Sequence, residues 1–274
     1  MRNLGRQLFA GPYLLWIIGF ILLPLAMIIY YAFTTSGGAF TRDNIAAIAD
    51  PVHVKSILLA LRLAVISTVV CLLLAYPLAM ILNGLKIKQQ GFVVFIFILP
   101  MWMNFMLRIL AWKLLLSNNG IVNAIFHFLG FGTVKMLNTQ TAVVFGMVYE
   151  YLPFMILPIY TAMAKIKNDV IEAAKDLGAS DILILFKIII PLTLSGIISG
   201  VIMVFVPALT SFVISDLLGG GKVLLIGNVI EQEFMQSSNW NLGSGLSVVL
   251  MIFVIASMAL MNIFDKDGGG NAVW

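Results

Sequence analysis

Apolar residues in this chain fall in long uninterrupted runs, and polar residues gather between the runs. Strict alternation would mark a half-buried strand, and an i, i+3, i+4 spacing would mark an amphipathic soluble helix. Neither pattern dominates here. A hydrocarbon core about 30 Å thick needs roughly 20 helical residues. Runs of that size lie at 9–33, 57–82, 92–116, 141–164, 192–215 and 244–264. The pattern predicts an all-α polytopic membrane protein with about six transmembrane helices, residues 1–274 forming a single transmembrane domain. Pro24, Pro77, Pro100, Pro153 and Pro158 fall inside the runs and predict kinks, since neighbouring helices and hydroxyls satisfy the carbonyls that proline frees.

Two connections are longer than turns. Segment 117–138 contains an apolar stretch at 121–129, too short to span and expected to lie at the interface as a short helix. Segment 165–191 carries helix signals instead of turn residues. Asn168 is placed to cap a helix, Asp169 and Glu172 sit in its first turn, and Gly178 stands just past its end. Ser180 is placed to cap a second helix beginning at Asp181, and Pro191 then opens the fifth span. The predicted unit is a helix–Gly–helix elbow. Its exposed face carries Glu172, Lys175 and Asp176 beside the small Ala173 and Ala174. A small-residue patch ringed by charge suits docking to another protein; a solvated amphipathic loop is the alternative that the residues leave open.

Composition sharpens the picture. Hydrophobic residues make up 61% of the 274 and charged residues 10%, with mean hydropathy +1.06. A soluble domain carries about 25% charged residues, so most of this exterior must face lipid. The net charge of +4 reflects the lysine and arginine bias of cytoplasmic loops and not nucleic-acid binding. With the N-terminus inside, the inner segments hold Arg2, Arg6, Lys86, Lys88, Lys165, Lys167, Lys175, Lys187 and Lys266. The outer segments hold only Arg42, Lys55, Lys113, Lys135 and Lys222. Both termini are therefore expected in the cytoplasm. The first run exceeds the 7–15-residue core of a signal peptide and is expected to be retained.

Reactive chemistry is sparse. Cys71 is the only cysteine, and His53 and His127 stand apart, so no metal-ligand cluster can be named. Gly219-Gly220-Gly221-Lys222 lacks the spacing and the following Ser or Thr of a phosphate-binding loop. The chain is expected to bind no cofactor and to catalyse no reaction; any ATP would be hydrolysed elsewhere.

Ionisable groups at membrane depth are costly and are usually paired or functional. Arg108 and Glu150 both fall about 12–15 Å below the outer surface at 1.5 Å per helical residue. Two roles stay open for them. One is a structural ion pair. The other places Glu150 with Trp102, Tyr149 and Tyr151 along a cation path, where carboxylate and aromatic groups would receive a polyammonium chain. Asp216, at the outer end of the fifth run, is a candidate entry or gate residue.

The string Glu172-Ala173-Ala174-Lys175-Asp176-Leu177-Gly178, followed after nine residues by Ile188-Ile189-Ile190-Pro191, resembles the EAA loop of ABC importer permeases, with Ile190 where Leu is usual. The resemblance implies a type I (MetI-like) permease architecture. It also implies a coupling helix, carried here by Glu172, Ala173, Ala174, Asp176 and Gly178 and closed by Pro191, seated in a groove of a cytoplasmic ATPase. Further segments are similar to the spermidine/putrescine permeases of that family: Tyr151-Leu152-Pro153-Phe154 with Pro158, Phe212 to Gly220, Leu225 to Ile230, and Trp240 with Gly243. Asn241 departs from them, because Pro often follows the Trp. The resemblance implies a distinct second permease subunit, an ATPase dimer carrying ATP and Mg, an extracytoplasmic polyamine-binding protein, and residence in a bacterial inner membrane. Permeation of sulfate, phosphate or an iron complex is the alternative within the class. A secondary transporter is a more distant one, which would leave the elbow without a role.

The charge bias is testable by labelling in a Cys71→Ser background. Lys86→Cys and Lys175→Cys should react with impermeant thiol reagents only from inside, and Arg42→Cys and Lys222→Cys only from outside. The reverse pattern would invert the topology.

Overall fold

The computed structural model describes residues 11–84, 95 and 99–266. These residues are helical, with no strand among them beyond a lone bridge between Thr34 and Phe40. The chain divides into two compact units, Met1–Lys55 with Val229–Ile255 and Ser56–Asn228 with Ala256–Trp274.

The first unit holds α1 (Gly11–Ala32), which is apolar and exposed over nearly its whole length, as a lipid-facing span requires. A five-residue π turn, Ile18–Leu22, lies just ahead of Pro24. The proline ring would collide with the carbonyl four residues back, and the wider turn relieves that crowding. The carbonyls at the end of α1 lack intrahelical donors. Two asparagines serve the carbonyls at and just past that end: Asn44 Nδ2 donates to Ala32 O at 3.2 Å and Thr34 O at 2.9 Å, and Asn241 Nδ2 reaches Tyr31 O at 3.2 Å and Thr34 O at 2.6 Å. The Asn241 amide thus does a job that a proline there, without an amide side chain, could not. The α11 helix (Trp240–Lys266) begins beside it, with Trp240 packed against Tyr31 and Phe234.

The second unit carries most of α2 (Pro51–Gly84), which contains Pro77. Then come α3 (Phe105–Leu115), α4 (Ile121–Phe128) and α5 (Gln140–Met163), the last with Pro153 and Pro158 inside it. The elbow follows as α6 (Asn168–Asp176) and α7 (Asp181–Leu192). Next are α8 (Leu194–Thr210), α9 (Val213–Gly219) and the start of α10 (Ile226–Met235). Met155, Ile156 and Ile159 of α5 and Val204 and Leu209 of α8 are buried, and Met155 lies against Gly200 of α8.

Among the described residues four helices are long and apolar enough to cross a membrane: α1, α2, α5 and α11 up to Met261. A fifth crossing is broken, because α7 and α8 meet at 65°. The expected span 192–215 is corrected accordingly: α8 opens at Leu194, after the bend and not at Pro191, and stops at Thr210. The expected span 92–116 lies partly outside the described residues. Its described remainder is a 3-10 turn (Leu99–Trp102) and α3, separated because Asn104 caps α3 by accepting from Leu107 N at 3.2 Å. The short interfacial helix expected at 121–129 is α4.

Two glycines decide how closely α8 approaches α5. A Cβ on Gly196 would lie 2.6 Å from Ala162 Cβ and 2.7 Å from the Pro158 carbonyl oxygen. A Cβ on Gly200 would lie 2.8 Å from Met155 Sδ. The pair forms a small-x-x-x-small seam of the kind that joins helices in lipid. Gly196→Ala should therefore destabilise the purified protein by about 1–3 kcal/mol, the usual range for overpacking. Gly19→Ala, where nothing lies within 4 Å, should not. Equal melting of the two variants would dismiss the seam.

Candidate functional site

The elbow is built by local chemistry. Its first helix starts from Lys167, whose side chain makes no capping bond; Asn168, expected as the cap, is instead the first helical residue. The helix ends at Gly178, with φ +80°. Gly178 N donates to Lys175 O at 2.9 Å, and Ala179 N donates to Ala174 O at 3.0 Å. This 5→2 and 6→1 pair is a Schellman cap, in which a left-handed glycine satisfies the last carbonyls. A side chain is disfavoured there, although the space around Gly178 is open. Ser180 caps α7 as expected, accepting from Leu183 N at 3.4 Å. Lys175 pairs with Asp181 across the corner at 3.5 Å.

The exposed face differs from the expected one. Glu172, Ala173, Lys175 and Asp176 are exposed, but Ala174 is buried at 8%. Leu177, just past the end of the helix, is exposed at 88%, with Ile182 and Phe186 exposed beyond it. The surface on offer is therefore a small-residue and apolar ridge flanked by charge. Pro191 lies near the end of α7, beyond a second π turn, Leu185–Ile189.

The intramembrane candidates separate. Arg108 of α3 and Glu150 of α5 form a salt bridge through Arg108 Nη2 and Glu150 Oε1, with both side chains 8% exposed. Among the described residues, none donates a hydrogen bond to Glu150 Oε2. Consecutive helical residues point about 100° apart, so Tyr149, Glu150 and Tyr151 leave α5 on three sides. Tyr149 packs on Trp112, with centroids 5.1 Å apart, and Phe145 joins the same ring at 4.7 Å. Tyr151 is buried and donates to the Pro207 carbonyl at 3.4 Å. Trp102 is 75% exposed and packs edge-on against Phe95. The aromatic ring on the Arg108 helix that meets α5 is Trp112, one helical turn beyond Arg108, and its i, i+4 spacing from that residue was available in the sequence.

Asp216 is exposed on α9, past the break at Ser211. The turn behind it is held by Asn228, which receives Ser215 Oγ at 2.5 Å and donates to Phe212 O at 3.0 Å. Among the described residues no group of His, Cys, Asp and Glu is placed to hold a metal ion.

Fold and elbow together describe a transporter membrane subunit, and comparison with known proteins places it. A family model for the binding-protein-dependent transport system inner membrane component matches residues 75–267, and the chain belongs to that family. It is a transporter subunit, not an enzyme, and membership implies a partner permease, an ATPase and a binding protein. The spermidine/putrescine transport system permease protein PotB of Haemophilus influenzae is 38% identical over 247 residues, covering 87% of this chain and 86% of that protein. PotB of Escherichia coli is 40% identical over 245 residues, covering 86% and 89%. In fold, the chain matches a bacterial ABC transporter involved in the import of the acidic polysaccharide alginate, with TM-score 0.83 at 16% identity, over 97% of this chain and 96% of that one.

Removing one partner of a buried ion pair costs about 3–5 kcal/mol, because the other charge is left uncompensated. Glu150→Gln or Arg108→Gln alone should lower the yield of assembled complex and the uptake rate. The double variant should recover part of both, since groups that neutralise each other do not contribute additively. Purely additive losses in assembly and uptake would show that the pair is not a unit.

Proposed function

We propose that this chain is the PotB-type permease of a polyamine importer, moving spermidine or putrescine inward by alternating access. The observation that carries this is identity of 38% and 40% to two PotB permeases over nearly the full chain. The chemistry agrees with it. Among the described residues one Glu150 carboxylate oxygen at membrane depth has no hydrogen-bond partner, the same two helices carry the Trp112, Phe145 and Tyr149 rings, and carboxylate with aromatic faces is what an alkylammonium chain needs. Asp216 is assigned to the outer mouth, and Tyr151 and Trp102 to the walls on either side. A sulfate or phosphate path would favour basic lining and helix N-termini.

The elbow is the proposed ATPase docking element, with Glu172, Ala173 and Asp176 at the contact, Gly178 setting the angle and Ala174 anchoring the helix from behind. Pro191 closes the segment. The partners would be a PotC-like permease, a PotA-like ATPase dimer that binds ATP and Mg, and a PotD-like polyamine-binding protein outside. Both termini would face the cytoplasm of a bacterial cell.

Uptake of labelled spermidine, putrescine, sulfate and phosphate by the reconstituted complex tests the cargo. The first two should accumulate with ATP, and uptake of an anion alone would replace the polyamine assignment. For the elbow, Ala173→Trp and Gly178→Leu should lose ATPase copurification or the ATP hydrolysis stimulated by loaded binding protein. Gly84→Leu, with nothing within 4 Å, should keep both. Wild-type attachment and stimulation in both elbow variants would end its assignment as the coupling element.

A further inference from the structure

The bend between α7 and α8 falls on Thr193, the residue that joins the elbow to the helix packed against α5. Thr193 is fully buried. Its amide is shared between Ile189 O at 3.0 Å and Ile190 O at 3.2 Å. Its hydroxyl lies 2.8 Å from Ile189 O and 3.2 Å from Ile190 O. Such back-bonding by a helical threonine bends helices on its own. A second group enters from elsewhere in the fold: the Tyr76 hydroxyl of α2 lies 3.1 Å from Thr193 Oγ1. A threonine hydroxyl has one proton. With that proton on the Ile189 carbonyl, Tyr76 is the donor and Thr193 Oγ1 the acceptor. A continuous chain then runs from Tyr76 through Thr193 to the last turn of the elbow.

A break at 65° joined by one residue is a point where a push on the elbow can be lost as local flexing. Sharp breaks carry force only if their freed groups are held from outside, and a bond from a third helix does that. We propose that Tyr76 is a positioning residue for transport: by donating to Thr193 it clamps the α7–α8 joint, so that displacement of the elbow is carried into α8 as one body. Through the Gly196–Gly200 seam, α8 then moves with α5, which bears Glu150. This inference rests on the proposed docking of the elbow and adds the element that transmits its motion.

Tyr76→Phe removes a single oxygen and keeps the ring. Spin labels at Leu183 and Met203, both exposed and on opposite sides of the joint, report the joint in the complete complex with Cys71→Ser. The inter-label distance distribution should broaden in Tyr76→Phe, and spermidine moved per ATP hydrolysed should fall several-fold, with ATPase copurification unchanged. Thr193→Ser, which keeps the hydroxyl, should behave as wild type; Thr193→Val should reproduce the Tyr76→Phe effect even where that variant assembles poorly. An unbroadened distribution in Tyr76→Phe overturns the clamp. So does broadening with unaltered transport per ATP, or a Thr193→Val effect with none from Tyr76→Phe. Lost copurification in Gly178→Leu or Ala173→Trp concerns docking alone, and the label measurement needs no substrate, so failure of either earlier assignment is recognised separately.

Discussion

Helices in a bilayer gain nothing from excluding water from each other, because lipid tails are as apolar as leucine. Close van der Waals approach and a few polar contacts must join them instead, and in this chain the approach of α8 to α5 is the contact on which the second unit depends. Gly196 and Gly200 bring the α8 backbone against Pro158, Ala162 and Met155. At that separation Tyr151 reaches the Pro207 carbonyl, and Gly146 of α5 lies against Leu218 and Ile214 of α9. The seam therefore places the broken span, the helix after it and the face of α5 that carries Glu150. Below it the chain bends at Thr193 and runs out into the elbow.

The buried pair of Arg108 and Glu150 answers to a different constraint. Moving an ion from water to a low-dielectric interior costs several kcal/mol even after relaxation, so neither charge is tolerable alone at this depth. Paired, they join α3 to α5, and one carboxylate oxygen has no hydrogen-bond partner among the described residues. That is a poor arrangement for stability alone, since replacing buried pairs with apolar residues is often neutral or stabilising. It is compatible with the cation-path role proposed above for Glu150, whose charge Arg108 balances.

Much of the molecule was legible because it is governed by local rules. The apolar runs, the short α4 helix, the elbow, its Gly178 corner and its Ser180 cap follow from length, composition and backbone preferences within a few residues. Asn168 is not the cap because Lys167 takes the preceding extended position, and capping depends on where the helix starts, which neighbours shift by a residue. The inward turn of Ala174 depends on what lies above the elbow, which no local pattern encodes. The Gly196–Gly200 spacing was visible in the sequence but said nothing about which helix it would meet.

The sequence by itself determined that this is a membrane-spanning helical protein, where its elbow lies and which family it belongs to, because lipid thickness and helix rise translate directly into run length and because the elbow motif is contiguous. The tertiary structure alone decided the partners. Arg108 and Glu150 are 42 residues apart, Tyr76 and Thr193 117, and Asn241 and Thr34 207. Each pairing depends on the packing of whole helices. It also divided Tyr149, Glu150 and Tyr151 among three faces of α5, since a helix turns neighbours in sequence away from one another and only its surroundings determine what each will touch.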